Sequence, residues 1–195
     1  MRVHVIYAHP VETSFNGALF RTTCDGLAQA GHVVDALDLY GEAFQAAMSR
    51  EERLNYHNVP GNLTAMTKPY VDRLKAADAL IFVHPVWNYG YPSILKGYFD
   101  RIFLPGVTFT LEHGDHGKLA PALNNIRKAA FITTYGSDRL HSWLMGDPPR
   151  RLALRWAWAT LRTRPNYYAL YDMNNAGREK CEAFLAKVRK AMARF

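Results

Sequence analysis

The sequence contains little cysteine and no long apolar run. Of its 195 residues only Cys24 and Cys181 are cysteines, and they do not form a C-x-x-C pair. We therefore expect neither a disulfide framework nor a nucleophilic thiol, and a reduced, cytoplasmic protein is the simplest interpretation. No apolar run approaches the roughly 20 residues that span a bilayer, which predicts no membrane span.

The motifs of several large enzyme classes are also missing. Neither G-x-G-x-x-G nor G-x-x-x-x-G-K-[ST] follows the first apolar run, which argues against Rossmann-type and P-loop nucleotide binding. The segment Glu112-His-Gly-Asp-His116 contains metal-ligand residue types. Its glycine and charge content is typical of an exposed loop, so we predict no metal site.

The composition is that of a folded, basic protein. Hydrophobic residues make up 49% of the chain and aromatic residues 13%, which excludes disorder. The length predicts one domain, residues 1–195. The net charge of +7 raises nucleic acid, an anionic membrane face and anionic small molecules as partners. No nucleic-acid motif accompanies the charge, so we expect no nucleic-acid partner.

Much of the positive charge lies between Arg139 and Arg164. Trp143, Trp156 and Trp158 are interspersed among these arginines. We interpret the segment as an amphipathic helix whose arginine stems cover apolar surface.

The order of elements predicts an α/β fold. Apolar and β-branched runs predict strands at residues 3–8, 33–39, 79–85, 129–134 and 167–171. Helical patterns occupy residues 16–30, 68–77, 92–103, 140–162 and 176–193. The alternation favours a parallel sheet covered on both faces. Right-handed crossovers then give a flavodoxin-like three-layer sandwich with a five-stranded parallel sheet of order 2-1-3-4-5.

Two long connections, residues 41–67 and 106–125, interrupt the alternation. The first contains the capping pattern Ser49-Arg-Glu-Glu52, which predicts a short helix. Connections of this length in a compact domain are usually functional.

An aromatic turn follows the third predicted strand. Trp87, Tyr89 and Tyr91 crowd this turn, and Gly90 allows close approach to the backbone. Because flat ligands bind at the carboxyl ends of strands in open α/β sheets, the turn suits a planar heterocycle.

Two further turns open on the same edge of the predicted sheet. In His9-Pro-Val-Glu-Thr-Ser-Phe-Asn16, a helix N-terminus with Thr13 and Ser14 could bind phosphate or could simply be capped. The fourth strand ends in the hydroxyl-rich run Thr133-Thr-Tyr-Gly-Ser137. Convergence of the three turns indicates a crevice for a polar ring.

These motifs resemble those of the flavodoxin-like NAD(P)H:quinone oxidoreductases, the DT-diaphorase family with its short bacterial members. The matching segments are Ala8-His-Pro-x-x-x-Ser-Phe-Asn16, Pro85-x-x-Asn-Tyr-Gly-Tyr-Pro-Ser-Ile-Leu-Lys-Gly-Tyr-Phe-Asp-Arg-Ile-Phe103 and Thr133-Thr-Tyr-Gly136. The resemblance runs over most of the chain.

The resemblance implies a tightly held flavin. Its phosphate end would be held by His9, Ser14, Phe15 and Asn16. Its isoalloxazine ring would lie along Pro85, Val86, Trp87, Asn88, Tyr89 and Gly90. Its pyrimidine edge and surroundings would be lined by Thr133, Thr134, Tyr135 and Gly136. The flavin is expected to be FMN, with FAD as the alternative, because the chain lacks the long carboxyl-terminal extension of the vertebrate enzymes.

The sequence departs from the family at two places. Vertebrate-type members have a tyrosine after the fourth-strand glycines that helps to stabilise the reduced flavin, and His141 falls at that position here. Tyr135 stands where a glycine is common. The candidate catalytic residues are therefore Tyr135, Gly136 and His141.

The resemblance implies an enzyme that passes hydride from NAD(P)H through the flavin to quinones or similar electrophiles, with ping-pong kinetics. It also implies a homodimer, with residues 96–103 in the contact. The alternative is a cytosolic accessory subunit of a glutathione-gated potassium efflux system, in which the basic, tryptophan-bearing face docks on a membrane protein. A one-electron carrier is disfavoured because such carriers are typically acidic.

Overall fold

The computed structural model describes residues 1–111 and 119–195. Five parallel strands form its central sheet: β1 (Arg2–Tyr7), β2 (Val33–Asp38), β3 (Ala79–Val86), β6 (Lys128–Tyr135) and β7 (Asn166–Leu170). They lie in the order β2-β1-β3-β6-β7. The predicted order 2-1-3-4-5 of the main strands is therefore confirmed, and each strand lies within two residues of its predicted bounds.

The strands form because their apolar side chains are buried on both faces of the sheet. In β1, residues 3–7 are all buried, and β3 is buried from residue 79 to residue 85. Such continuous burial is typical of a parallel sheet between two layers of helices. Register places His84 of β3 opposite Thr133 of β6.

Helices cover both faces. The helices are α1 (Phe15–Gln29), α2 (Arg50–Leu54), α3 (Lys68–Ala76), α4 (Ser93–Ile102), α5 (Arg139–Leu144), α6 (Pro148–Leu161) and α7 (Arg178–Met192). Side chains of α1 and α7 pack on one face of the sheet. Those of α3, α4 and α6 pack on the other. A hydrophobic core thus lies on each face of the sheet.

Helix ends follow the predicted signals with small shifts. Gly31, at φ +81°, follows the C-cap Ala30 and ends α1. The predicted capping box is present, since Ser49 accepts from the Glu52 amide and Glu52 accepts from the Ser49 amide. The prediction that Pro92 lies inside α4 is wrong: Pro92 is the N-cap, at ψ 142°, because its extended backbone continues the preceding turn.

The connection of residues 41–67 packs against α4. Gly97 allows this, because a Cβ atom there would overlap the carbonyl of Ala46. The buried Arg101 guanidinium donates to Glu52 at 2.5 Å and also to the carbonyl of Gln45. Burial acts to raise the pKa of Glu52, but the hydrogen bonds from Arg101 and Ser49 and the charge of Arg101 together lower that pKa. The connection is thus a fixed part of the α4 layer.

The second long connection contains an element that the pattern does not predict. Strands β4 (Phe109–Leu111) and β5 (Leu119–Pro121) pair antiparallel as a separate two-stranded sheet. The segment of residues 112–116, considered above for metal binding, lies outside the described residues.

The basic segment is two helices with different burial. Pro148 begins α6, so the helical pattern of residues 140–162 is divided into α5 and α6. The expectation that arginine stems cover apolar surface holds in part: Arg150 lies over the Tyr167 ring at 5.9 Å, whereas Trp143 and Trp158 are exposed. Only Trp156 enters the aromatic core, edge-on to Phe82 and Phe99.

Candidate functional site

The three predicted turns meet at the carboxyl edge of the sheet. They follow β1, β3 and β6, which are neighbours in that order. The His9 and Trp87 rings lie 5.8 Å apart, and the Asn16 Nδ2 donates to Thr134 Oγ1 at 2.9 Å. These contacts bridge residues up to 118 positions apart in the chain. The crevice lies at the point where strand order reverses, between β1 and β3.

The first turn is built around the start of α1. Ser14 is the N-cap, and its Oγ accepts from the Gly17 amide at 3.1 Å. Gly17 is required, because a Cβ atom there would overlap the Glu12 carbonyl. Ser14 thus makes the ordinary cap that the sequence allowed, and this cap does not occupy the amides of Phe15 and Asn16. Within the described residues those two amides have no acceptor, so the helix N-terminus can still receive an anion.

Asn16 carries a buried polar atom without a partner. Its amide nitrogen is used by Thr134, while its Oδ1 has no donor among the described residues. Thr133 Oγ1 is also buried and has no hydrogen-bond partner among the described residues. Because an unsatisfied buried polar atom costs free energy, such atoms in a crevice indicate a missing ligand or water.

The aromatic turn has the backbone of a tight hairpin. Trp87 and Gly90 exchange two backbone hydrogen bonds, at 3.1 and 2.9 Å. Asn88 and Tyr89 between them have positive φ, 49° and 55°. Such a pair defines a type I′ turn, in which a tyrosine is strained. Backbone strain of this kind clusters at ligand sites.

Gly90 itself is not strained. A Cβ atom there would lie 3.6 Å from the Trp87 carbonyl oxygen, which is ordinary contact. The fold therefore does not require glycine at this position. Pro85 is buried and Val86 partly so, while Trp87 is exposed. Of the three aromatic rings predicted for this turn, Trp87 is exposed and Tyr89 half-buried, whereas Tyr91 packs inward against Phe99 and Phe131.

The fourth-strand turn divides its side chains between surface and interior. Gly136 is exposed beside Asn174. The Tyr135 side chain is buried, and its hydroxyl donates to Asp147 Oδ1 at 2.8 Å and lies 2.6 Å from the Tyr167 hydroxyl. Burial, and then Tyr167, raise the pKa of Tyr135 above its usual range. The hydroxyl of Tyr135 is therefore committed inside the protein, and only its backbone belongs to the crevice edge.

His141 lies in the first turn of α5. Its Nδ1 is 2.7 Å from Asp138 Oδ2, and its backbone amide donates to Asp138 Oδ1. These two bonds, the amide's first, lower the pKa of Asp138. The imidazole is exposed. The hydrogen bond of the His141 side chain is therefore with the N-cap of its own helix and not with a residue of the three turns.

Three residues of the site edge were not predicted. His84 is buried; its Nδ1 lies 2.9 Å from the Pro85 carbonyl and donates to it, and its Nε2 has no partner among the described residues. Burial lowers the pKa of His84 to about 4. The signal available was the position of His84 in an otherwise apolar strand. Asp147 and Gly17 had no local signal, since both act through contacts made by the fold.

Other chemistries find no support in the described part of the chain. No cluster of three or more His, Cys, Asp or Glu there has metal-binding geometry. Burial raises the pKa of Cys24 to about 12, so its thiol stays protonated at neutral pH. No helix within residues 1–111 and 119–195 is long and apolar enough to cross a bilayer.

The residues of the crevice fit a flavin. Free amides at the start of α1 suit a phosphate, and the outward aromatic turn suits a flat ring. The unpartnered Asn16 Oδ1 supplies a buried acceptor for a polar group.

A parallel sheet of this order, covered on both faces and opening at its switch point, defines a flavodoxin-like α/β protein. The protein-family model described as "Flavodoxin-like fold" matches residues 1–158. The chain belongs to this family.

Two named relatives each match 72% of the chain. The chain is 34% identical over 162 residues to "Ribosyldihydronicotinamide dehydrogenase-like protein traD" of Penicillium crustosum, covering 72% of this chain and 60% of that protein. It is 30% identical over 157 residues to "NAD(P)H dehydrogenase [quinone] 1" of Cavia porcellus, covering 72% and 56%. The chain thus spans about three fifths of the length of these relatives.

A solved structure matches over nearly its whole length. The NAD(P)H:quinone oxidoreductase from Methanothermobacter marburgensis has a TM-score of 0.86 at 25% identity, covering 99% of this chain and 98% of that chain.

Proposed function

We propose that this chain is a flavin-dependent NAD(P)H oxidoreductase that reduces quinones or similar electrophiles. The observation that carries the proposal is the meeting of three turns at the switch point, held by the His9–Trp87 and Asn16–Thr134 contacts. The names of the Cavia porcellus and Methanothermobacter marburgensis proteins support NAD(P)H as donor and a quinone as acceptor.

The flavin would be held from phosphate to ring by the three turns in sequence. The phosphate would meet the Phe15 and Asn16 amides, with His9 beside them. His9 Nδ1 lies 3.0 Å from the Val11 amide and accepts from it, so a neutral His9 presents its Nε2 proton as a donor. We propose FMN, with FAD as the alternative.

The ring would lie against the aromatic turn, with the backbone of residues 133–136 along its polar edge. Fixed backbone donors there would stabilise charge that develops on the ring, without reorganisation during the reaction. A bound flavin supplies hydride transfer in two halves, from NAD(P)H and then to the acceptor, at one site. Sharing of that site predicts ping-pong kinetics.

Absorbance of the purified protein tests the proposal. We expect a flavin spectrum, and mass spectrometry of the released cofactor distinguishes FMN from FAD. Anaerobic NADPH or NADH should then bleach the flavin. Failure of the purified chain to bind added FMN or FAD would overturn the proposal. A flavin that binds but stays oxidised would favour the regulatory-partner alternative instead.

A glycine substitution locates the ring. Gly90→Val should weaken flavin binding about tenfold or more, because a bulky group at a close approach typically costs about 1–3 kcal/mol. The apoprotein should unfold at an unchanged temperature, since Gly90 has ordinary φ and no close neighbour. Gly177→Val is the matched control, with nothing within 4 Å of its added Cβ atom. Unchanged flavin affinity in Gly90→Val would place the ring elsewhere.

We also propose a homodimer formed through α4 and α6. A groove of about 640 Å³ runs between these helices and the connection of residues 41–67. Its apolar lining is formed by Met48, Tyr91, Phe99, Phe103, Leu152 and Trp156. The groove includes part of the 96–103 segment, and an aromatic lining is typical of the buried centre of an interface.

A further inference from the structure

The short helix α5 has its apolar side chains on the outside. Its buried residue is Ser142, whose Oγ is 2.8 Å from Ser137 Oγ. Leu140, Trp143 and Leu144 are exposed, with 67% of the Trp143 surface open to solvent. A helix on a globular protein normally buries its apolar stripe and exposes its polar one. In α5 this arrangement is reversed.

The exposed apolar surface continues beyond α5. Met145, the residue that ends the helix, is also more than half exposed, at 55%. The Arg151 guanidinium lies beside the next residue, Gly146, with Nη1 3.6 Å from where a Cβ atom would be. Positions 151, 155 and 158 share one face of α6 by helical spacing. Trp158 on that face is 62% exposed, and Arg151 is where the face meets the end of α5.

The charge around this surface is mostly positive. Between Arg139 and Arg164 the sequence has six arginines and a single acidic residue, Asp147. Asp147 accepts hydrogen bonds from Tyr135 and from Tyr171, the latter at 3.1 Å, and so is turned into the protein. Asp138, the N-cap of α5, is exposed beside Arg139 and pairs with His141. The charge around the exposed tryptophan, leucine and methionine side chains is therefore predominantly positive.

We propose that this surface docks on an anionic lipid bilayer. The docking face consists of Arg139, Leu140, Trp143, Leu144, Met145, Arg151, Arg155 and Trp158. Its chemistry is that of interfacial helices, which place Trp and Leu among the lipid headgroups and arginines against their phosphates. A bilayer accepts scattered apolar side chains without matching pockets, whereas a protein partner of this face would need a complementary acidic groove. The proposal does not rest on flavin binding or on NAD(P)H oxidation.

Co-sedimentation of the full chain with vesicles tests the docking. Vesicles of phosphatidylcholine with phosphatidylglycerol should bind the chain, and added salt should release it, because the attraction to anionic lipid is screened. Vesicles of phosphatidylcholine alone should bind it far more weakly. Equal binding to both compositions, or binding to neither, would overturn the proposal.

Paired variants separate the docking face from general charge and apolarity. Arg151→Gln with Arg155→Gln should reduce binding about fivefold for each arginine removed. Arg189→Gln with Lys190→Gln removes the same charge from α7, on the opposite side of the sheet, and should leave binding nearly unchanged. Equal losses in the two pairs would contradict docking through α5 and α6.

Apolar variants test insertion. Trp143→Ser or Leu144→Ser should lower binding at least as much as one arginine, while Val33→Ser, equally exposed on β2, should not. Thermal unfolding should be unchanged in all of them because the side chains are exposed. Light scattering gives the rival outcome: if Trp143→Ser converts a dimer to a monomer, the face is a subunit interface and the lipid proposal fails.

Discussion

Among single residues, His84 combines complete burial with a titratable ring. Burial lowers its pKa from 6.5 to about 4, and no opposite charge compensates among the causes of that shift. The unfolded chain therefore takes up a proton near pH 6.5 while the folded chain does not until about pH 4. Stability must fall as the pH drops through this window.

We expect the free energy of unfolding to fall by about 3 kcal/mol between pH 6.5 and pH 4 from His84 alone. Urea denaturation at several pH values measures it. In His84→Phe this contribution should disappear, so that the variant loses less stability than the wild type over the same range. Parallel pH profiles for the two proteins would contradict the lowered pKa of His84 in the folded state.

Residue roles at the site were only partly predictable from the sequence. Ser14 and Gly136 could be placed because both depend on their position in a turn. The contacts of the Tyr135 hydroxyl could not be predicted. Its partners, Asp147 and Tyr167, lie 12 and 32 residues away in the sequence, and only the fold brings them to it. Whether Tyr135 and His141 act in catalysis stays a prediction.

Between elements, two glycines set how closely the backbone can approach. Gly17 admits the first turn over α1, and Gly97 admits residue 46 against α4. Both lie inside helices, where glycine is otherwise unfavourable by about 1 kcal/mol. Their presence is explained by tertiary contact alone.

Gly97→Ala should destabilise the protein by about 1–3 kcal/mol, because the added methyl group overlaps the Ala46 carbonyl and helix propensity offsets only part of that cost. Denaturant unfolding measures the change. Gly177→Ala, where the methyl group meets nothing within 4 Å, should change stability by less than about 1 kcal/mol. A neutral or stabilising Gly97→Ala would show that the connection can move away from α4.

Strand and helix positions were largely predictable, since each main strand carries its own apolar run. The β4–β5 pair was not, because two three-residue strands hold too little pattern to distinguish them from loop. The exposure of the apolar side chains of α5 was not predicted from the sequence either. An apolar helix in sequence is normally a buried helix, and only the fold reveals which side Ser142 faces.

For the whole molecule, the α4–α6 groove makes the oligomeric state testable. The wild-type chain should have twice its monomer mass of 22.2 kDa in light scattering. Leu152→Glu places a charge in the groove and should yield a monomer, because an unpaired charge at an interface centre is costly. Val33→Glu, on the edge strand β2, is the control and should stay dimeric. A wild-type monomer would contradict the proposed dimer.

The hydrogen bond between Tyr135 and Asp147 has a consequence for how this molecule can vary. It joins the end of β6 to the start of α6, so residues 136–146 leave and return at nearly one point. Closing a longer or shorter loop between two such anchored ends changes the free energy only slightly. Apart from Gly136 and His141, which belong to the candidate site, the segment that carries the exposed α5 can therefore change at little cost to the fold. Its exposed residues 143–145 can be replaced by design while the sheet and its crevice stay the same.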